Sequence, residues 1–280
     1  MVQPAFDPIT DIGNLEPFPL VALRILDLCT RNTDPCELAA VVRTDVGVSA
    51  KVLRLANSAL CGLAVPIESI ADALHYLGPR RVANLAMTTG ANAFLTGYGD
   101  STPRSNSSLW KESYYTALFA HAIARRVLPP DEVELAYTVG LMQNLGHVVM
   151  DRFLVERRDA ILALRQNGEV EPLVAERCIL GIDHARCAQL IGRQWGLPAR
   201  LQRGMLMHHT PASAGPERAL CEVVNVAEHL TFEYTIDGAT SLTFPISPDS
   251  ALLMKRLSGG IGSLTDEVHH LAAESEGCLV

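Results

Sequence analysis

The sequence is poor in aromatic side chains and in charge. Phe, Trp and Tyr together make up 5% of its 280 residues, and charged side chains make up 19%. Hydrophobic residues nevertheless reach 48%, which supplies a sizeable core and excludes disorder over most of the length. The scarcity of aromatic residues, with Ala, Leu and Val recurring at short intervals, favours packed helices over sheets.

Paired cysteine motifs and a signal peptide are also missing. The seven cysteines are an odd number, are spread along the chain and form no Cys-x-x-Cys pair, which argues against a disulfide framework or a structural zinc ribbon. The N-terminal residues lack the basic and apolar regions of a signal peptide. Residues 82–99 carry no formal charge but are too rich in Asn, Thr and Gly to lie in lipid. We therefore expect a soluble cytoplasmic protein without a membrane partner.

An excess of positive charge is missing as well. Lys and Arg number 23 against 31 Asp and Glu, which gives a formal net charge of -8. This balance argues against nucleic acid as a partner, because binding to a phosphate backbone depends on clustered cations. Arg80-Arg81 at a predicted helix start could belong to a helix–turn–helix element, but a solvated first helical turn explains them more simply.

Helix-breaking residues recur along the chain, and the segments between them have helical apolar spacing. Asp34-Pro35 has the pattern of an N-cap followed by proline at the first helical position, and Gly78-Pro79 separates two helical segments. These signals predict five short helices before residue 95. Later in the chain they predict helices over these ranges: 110–127, 132–153, 183–195, 201–209 and 219–232. We therefore predict an all-α fold.

Residues 96–108 differ in composition from the segments on both sides. Gly, Ser, Pro and Asn replace aliphatic residues there, which is typical of a joint. We predict a compact N-terminal helical subdomain over 13–95, a joint over 96–108 and a second helical bundle over 109–235. Residues 236–280 are expected to form an extension with a loose segment and one short terminal helix.

Three places carry polar side chains in segments that are otherwise apolar. They are Gln143-Asn144 in the segment GLMQNLGHVVM, His184, and the doublet His208-His209 at the end of a predicted helix. Neighbouring histidines can bind one metal ion, but capping or a core contact is the simpler explanation for a doublet at a helix end. The two amides, if buried, need hydrogen-bond partners, and cross-linking of helices is their simplest role.

In this order and at this spacing, the segments resemble the HDOD domain, a bacterial relative of HD-domain phosphohydrolases. The resemblance covers about residues 13–235 and rests on these segments: PFPLVALRILDL, LRLANSA, ALHYLG, LAYTVGLMQNLGHVVM, GIDHARCAQLIGRQWGLP and MLMHHTP. It implies that the second half is an HD-like helical bundle. It also implies a role in bacterial signal transduction, with which HDOD proteins are generally associated.

The resemblance also shows which ligands of an HD enzyme are replaced. HD enzymes hold one or two metal ions with an early histidine, a consecutive His-Asp pair, further histidines and a late aspartate. This sequence has Glu112 at the early histidine, Gln143-Asn144 at the His-Asp pair and Glu228 at the late aspartate. The ligand type is retained at three histidines: His184, His208 and His209.

The replacements change the chemistry expected of this site. Gln143 and Asn144 offer neutral oxygens, which bind transition metals poorly and cannot offset the charge of two cations. Without a metal ion, no bound water is activated for hydrolysis. We therefore expect no catalytic residues, no phosphohydrolase activity and no cofactor. The alternative is a residual divalent-metal site, whose ligands would be His184, His208 or His209, Glu112 and Glu228. Pairing of the two carboxylates with arginines such as Arg193 or Arg203 competes with metal binding.

The leading functional hypothesis is a non-catalytic regulatory module that acts as a scaffold for a partner protein in a bacterial signalling pathway. A second hypothesis is a sensor that binds a nucleotide around Gln143, Asn144, His184 and His208 without cleaving it. The third and least favoured is a metal-dependent phosphohydrolase. A homo-oligomer is compatible with all three hypotheses. His147, which follows the amide pair, is predicted to be an exposed helix histidine.

Overall fold

Helices account for the regular structure of the part of the chain that is described. The computed structural model describes these residues: 7–31, 33–58, 61, 65–97, 106–154, 171–234 and 246–279. Within them the regular elements are α-helices and short 3-10 helices, with no strand. The predicted all-α fold is therefore confirmed. No helix in these ranges has both the length and the apolar character needed to cross a membrane.

The chain divides into two compact units, each assembled from two stretches of sequence. The first contains Met1–Glu16 and Leu95–Val268, and the second contains Pro17–Phe94 and His269–Val280. Residues 98–105 of the predicted joint lie outside the described residues. The division proposed from sequence, with its boundaries at 13, 95, 108 and 235, stays a prediction.

The second unit begins with the five short helices that the sequence predicted, the last of which ends in the first unit. They are α2 (Leu20–Thr30), α3 (Pro35–Val42), α4 (Val46–Ala56), α5 (Ile70–Leu77) and α6 (Pro79–Gly97). Local capping sets their ends: the carboxylates of Asp34 and Asp45 accept hydrogen bonds from the first turns of α3 and α4. Gly78 follows α5 with a φ of 80°, a conformation that favours glycine.

The first unit contains the remaining helices of the described residues. They are α1 (Pro8–Gly13), α7 (Asn106–Val127), α8 (Val133–Met142), α9 (Gly146–Leu154), α10 (Pro172–Leu180), α11 (His184–Gln194), α12 (Ala199–Met207), α13 (Arg218–Tyr234) and α14 (Ala251–Leu257). Helix α15 (Ile261–Leu279) begins in this unit and ends in the second. Helices α7, α8 and α13 pack on one another, and α11 packs against α9 and α12.

Two glycines allow close packing in the first unit. A Cβ atom on Gly140 would lie 3.0 Å from the Cα atom of Ala117, and one on Gly204 would lie 2.7 Å from Cγ2 of Val139. Helix α8 therefore approaches both α7 and α12 through positions that have no room for a side chain.

Three expectations about individual helices were wrong. The predicted continuous helix over 132–153 is interrupted by a 3-10 turn at Gln143–Leu145. Helices α1 and α10 were not predicted, because each is short and has no long apolar repeat. The terminal helix α15 is 19 residues long rather than short, and α14 precedes it.

Candidate functional site

Side chains from six helices of the first unit meet around His184, the first residue of α11. Asp183 caps this helix by accepting a hydrogen bond from the main-chain N–H of Arg186, and its other oxygen lies 2.5 Å from Nη1 of Arg177. On the opposite side, a Cβ atom on Gly146 would lie 2.0 Å from the carbonyl oxygen of His184. The glycine is thus required for α9 to reach the start of α11.

Glu176 of α10 binds both the ring and the main chain of His184. Its carboxylate lies 2.9 and 3.1 Å from Nδ1 of His184 and accepts a hydrogen bond of 2.8 Å from the main-chain N–H of the same residue. The two side chains are 1% and 0% exposed. Burial opposes ionisation of Glu176, but the charge and hydrogen bonds of His184 outweigh it and lower its pKa to about 2. Burial also opposes protonation of His184, yet Glu176 raises its pKa.

The doublet at the end of α12 faces the other side of His184. The Nε2 atoms of His184 and His209 are 3.1 Å apart, and the rings of His208 and His209 have centroids 4.0 Å apart. The carbonyl oxygen of Met205 lies 2.8 Å from Nδ1 of His208. Burial, followed by the charge of His184, lowers the pKa of His208 to about 3. Burial and the neighbouring histidine charges hold the pKa of His209 well below its usual value.

The prediction that His147 is exposed was wrong. Its side chain is 1% exposed, and its ring stacks on His184 with centroids 4.3 Å apart and an interplanar angle of 16°. The cause is tertiary: the missing side chain at Gly146 lets the start of α9 press against His184. The histidine therefore belongs to the buried cluster.

The amide pair and two carboxylates complete the site. Gln143 and Asn144 lie in the 3-10 turn and are 0% and 2% exposed. The Gln143 amide lies close enough to Glu228 to lower the pKa of that carboxyl group. Burial raises the pKa of Glu228 to about 7; the charge of His184 and the two amides oppose this rise, whereas Glu112 adds to it. Glu228 therefore keeps its proton to a higher pH than an ordinary glutamate does.

The structure brings the residues singled out from the sequence into one buried region. They are Glu112, Gln143, Asn144, His184, His208, His209 and Glu228. Among the arginines considered as alternative partners for the carboxylates, Arg203 instead donates to the carbonyl oxygen of Ala214 and lies 3.6 Å from Glu217. The functional roles of the seven residues stay predictions.

Glu176 was missed by the sequence analysis. A signal for it exists, because Pro172, Glu176 and Leu180 are spaced four residues apart and therefore share one face of α10. All three are buried. An acidic residue on the apolar face of a helix needs a cationic partner, and the nearest histidine in the sequence, His184, supplies it.

Comparison with known proteins decides the family. The HDOD domain family matches residues 15–211, which is more than half of the chain. The chain belongs to the HDOD family. The resemblance drawn from the sequence is therefore confirmed.

Solved structures share this HDOD fold. An HDOD domain protein of unknown function from Geobacter sulfurreducens matches with a TM-score of 0.68 and 23% identity, over 94% of this chain and 98% of that chain. A Shewanella amazonensis protein, named provisionally as a metal-dependent phosphohydrolase, matches with a TM-score of 0.60 and 15% identity, over 95% of each chain. At these identities the comparisons show the fold alone.

One curated relative also matches. It is an uncharacterised protein of Treponema pallidum (strain Nichols), 26% identical over 205 residues. The match takes in 73% of this chain but 39% of the relative, so this HDOD chain spans about two-fifths of the relative's length.

Two groups of side chains in the described part of this HDOD chain have ligand atoms within 4.8 Å of one another. They are His184 with His208 and His209, and His184 with His147 and Glu176. The first group fits a transition metal, because its three side chains are imidazoles. In addition, the buried Nε2 atom of His208 has no hydrogen-bond partner among the described residues. In the second group the carboxylate is already bonded to His184. An ion held by the first group would supply a Lewis-acid centre.

Proposed function

We propose that this HDOD chain is a non-catalytic signal-transduction module that acts by binding a partner protein. The observation that carries the proposal is the buried turn Gln143–Leu145, which places two neutral amides where the family resemblance expects a His-Asp pair. Hydrolysis by the HD arrangement depends on a carboxylate that offsets the charge of bound cations. An amide oxygen carries no charge and does not replace it.

The other carboxylates of the site do not supply the missing charge. Glu176 is ionised but is bonded to His184 through both the ring and the main chain. Glu228 lies 3.6 Å from Nδ1 of His209 and, with a pKa of about 7, is only partly ionised at neutral pH. The positive charge of two divalent cations at this site would therefore remain largely uncompensated, which is unfavourable in a buried position.

The nucleotide-sensor alternative has less support. Its expected contacts, Gln143, Asn144, His184 and His208, are each at most 2% exposed. A nucleotide would reach these side chains only after the helices around them had separated. Protein binding does not require that opening, because it uses side chains that are already at the surface.

A phosphatase assay tests the non-catalytic part of the proposal. Chromogenic phosphomonoesters and phosphodiesters are incubated with the full chain and Mg²⁺, Mn²⁺, Ni²⁺ or Zn²⁺. We expect the same rate as with metal alone. Turnover above that blank which His184→Ala abolishes would refute the proposal. The double variant Gln143→His with Asn144→Asp is the matched control and is expected to bind additional metal, because it adds a nitrogen donor and a bridging carboxylate.

Partner binding is tested separately. Cross-linking in the source cells identifies candidate partners, and each is then purified and titrated with the full chain by calorimetry. Saturable binding of a purified signalling protein supports the scaffold role. Failure of every purified candidate to bind contradicts it, whatever the phosphatase result.

A further inference from the structure

The segment from His184 to Pro216 differs in charge from the rest of the chain. It contains four arginines but no lysine, aspartate or glutamate, although acidic residues outnumber Lys and Arg by 31 to 23 in the whole sequence. The segment includes helices α11 and α12. Surfaces that bind other proteins are typically enriched in arginine and depleted in lysine, aspartate and glutamate. The composition of this segment is therefore that of a protein interface.

The two arginines of α12 are paired with carboxylates of the protein itself. Nη2 of Arg200 lies 2.8 Å from an oxygen of Glu132, and its Nε atom lies 3.3 Å from an oxygen of Glu217. The Nε atom of Arg203 lies 3.6 Å from the other oxygen of Glu217. Two carboxylates thus offset the charges of these two arginines.

The two arginines of α11 are not offset in this way. Arg186 donates a hydrogen bond to the neutral amide oxygen of Gln189, and Arg193 has no ion pair among the described residues. The nearby carboxylate of Asp183 is already engaged, because one oxygen caps α11 and the other lies 2.5 Å from Nη1 of Arg177. Both arginines of α11 are exposed. Their positive charges are therefore available to a partner.

Helical geometry places these two charges on one side of α11. Residues seven positions apart share a face of a helix and lie about 10 Å apart along its axis. Leu190 lies between them and is partly exposed. The opposite side of the helix is buried and contains His184, Cys187, Ala188 and Ile191. We call the solvent side the α11 face; it consists of Arg186, Gln189, Leu190 and Arg193.

We propose that the α11 face binds an acidic helix of a partner protein. The inference rests on the proposed function, since it specifies the partner of the scaffold. Carboxylates seven residues apart on a helix match the spacing of Arg186 and Arg193, and an apolar side chain between them packs on Leu190. Arginine suits this role because its guanidinium can bind a carboxylate through two hydrogen bonds.

The secondary structure of the face favours a helix over an extended segment. A peptide that binds as a strand adds to the exposed edge of a sheet. The described residues contain no strand, so they offer no such edge. A helical segment instead packs its apolar side against an exposed helix face of this kind.

A nucleic acid fits the α11 face less well. Binding to a phosphate backbone draws on many clustered cations, whereas this face has two and the chain has a net charge of -8. The leucine between the arginines has no role in contacting phosphates. An acidic protein segment uses both the charges and the apolar side chain.

The experiment uses the full chain and a synthetic probe. A fluorescent helical peptide with two glutamates seven residues apart and a leucine between them is titrated with the protein, and its anisotropy is measured. We expect saturable binding that weakens as NaCl is added, because salt screens exposed charges. A peptide with lysine at both glutamate positions should not bind. Chemical-shift changes of main-chain amides, measured by NMR, are expected in α11.

Substitutions then test the face. The double variant Arg186→Glu with Arg193→Glu should lower the affinity for the glutamate peptide by at least about tenfold, because like charges then oppose each other. Arg186→Gln with Arg193→Gln removes the charges without reversing them and should have a smaller effect. Arg24→Glu with Arg43→Glu is the matched control: both arginines are exposed in the other unit, the change in net charge is the same, and the affinity should stay that of the wild type. Circular dichroism shows whether each variant is folded.

Several results would overturn the proposal. They include no saturable binding of the glutamate peptide to folded wild type, equal affinity of the wild type and the charge-reversed variant, and shift changes outside α11. Tighter binding of a labelled oligonucleotide, lost on charge reversal, would assign the face to a nucleic acid. A dimer in light scattering that charge reversal dissociates would assign it to a second copy of this chain.

The proposed function fails on a different result, the failure of every purified candidate partner to bind the full chain. A purified partner that binds the wild type and the charge-reversed variant equally well supports the scaffold role but refutes the α11 face as its site. A partner whose affinity falls at least about tenfold on charge reversal supports both.

Discussion

Replacing Glu176 by glutamine removes one charge from a buried ion pair and keeps the shape of the side chain. The carboxylate is 1% exposed and its pKa falls from 4.5 to about 2 in the folded protein. This shift corresponds to about 3 kcal/mol in favour of the folded state. Loss of one partner from a buried pair typically costs about 3–5 kcal/mol, which agrees. For a unit of this size, 3 kcal/mol lowers the melting temperature by about 6–12 °C.

The assay is urea and thermal unfolding of chelator-treated protein, followed by circular dichroism. Glu134→Gln is the matched control, because Glu134 also lies beside a histidine, His121, at 3.5 Å, but both side chains are partly exposed. That variant should lose less than about 1 kcal/mol.

The pH dependence of the Glu176→Gln difference is a second check on the same pair. The folded-state pKa of His184 is raised above 6.5, so the stability contributed by its protonated form is complete below about pH 6.5 and is lost as the pH rises through the folded value. The difference in the free energy of unfolding between the wild type and Glu176→Gln should therefore be largest below about pH 6.5 and should narrow as the pH rises through the raised pKa of His184. Equal losses in the two glutamine variants, or a difference independent of pH, would refute the ion-pair explanation.

Three further substitutions test the packing and protonation of the site. Gly146→Ala brings a Cβ atom to 2.0 Å from the carbonyl oxygen of His184 and should cost about 3 kcal/mol or more by urea unfolding, whereas Gly262→Ala in open space should cost nothing. The neutral ring of His208 contributes stability that is fully present above pH 6.5 and is lost as the pH falls toward 3. The difference in the free energy of unfolding between the wild type and His208→Gln should therefore shrink by about 1.4 kcal/mol per pH unit from about pH 6 to 4. Gln143→Met removes an amide that lowers the pKa of Glu228 and should therefore raise that pKa further, as followed by NMR titration of the carboxyl group; an unchanged pKa would show that the amide does not interact with this carboxyl.

Local signals in the sequence fixed the positions of most helices. Asp34 acts as the N-cap that its spacing indicated, and Gly78 ends α5. Such signals depend on residues a few positions apart, so one sequence is enough to find them. The interruption at Gln143–Leu145 was not found in this way; the turn packs against α11 and α12, which follow much later in the sequence.

The residue types of the candidate site were also available from the sequence. The family resemblance pointed to His184, His208 and His209, and the structure places them together. The family resemblance did not show that Glu176 binds His184 or that His147 stacks on His184. Both contacts join different helices, and helical periodicity says which face a residue occupies but not which residue it meets.

The sequence by itself therefore determined the all-α class, the family and the replacement of the His-Asp pair by two amides. Tertiary structure decided the protonation and orientation of the histidines, because these depend on which oxygen lies beside each Nδ1 atom. The carboxylate of Glu176 and the carbonyl oxygen of Met205 occupy those places. The electrostatics of a buried site are set by such neighbours and by the exclusion of water, and neither is written in the local order of residues.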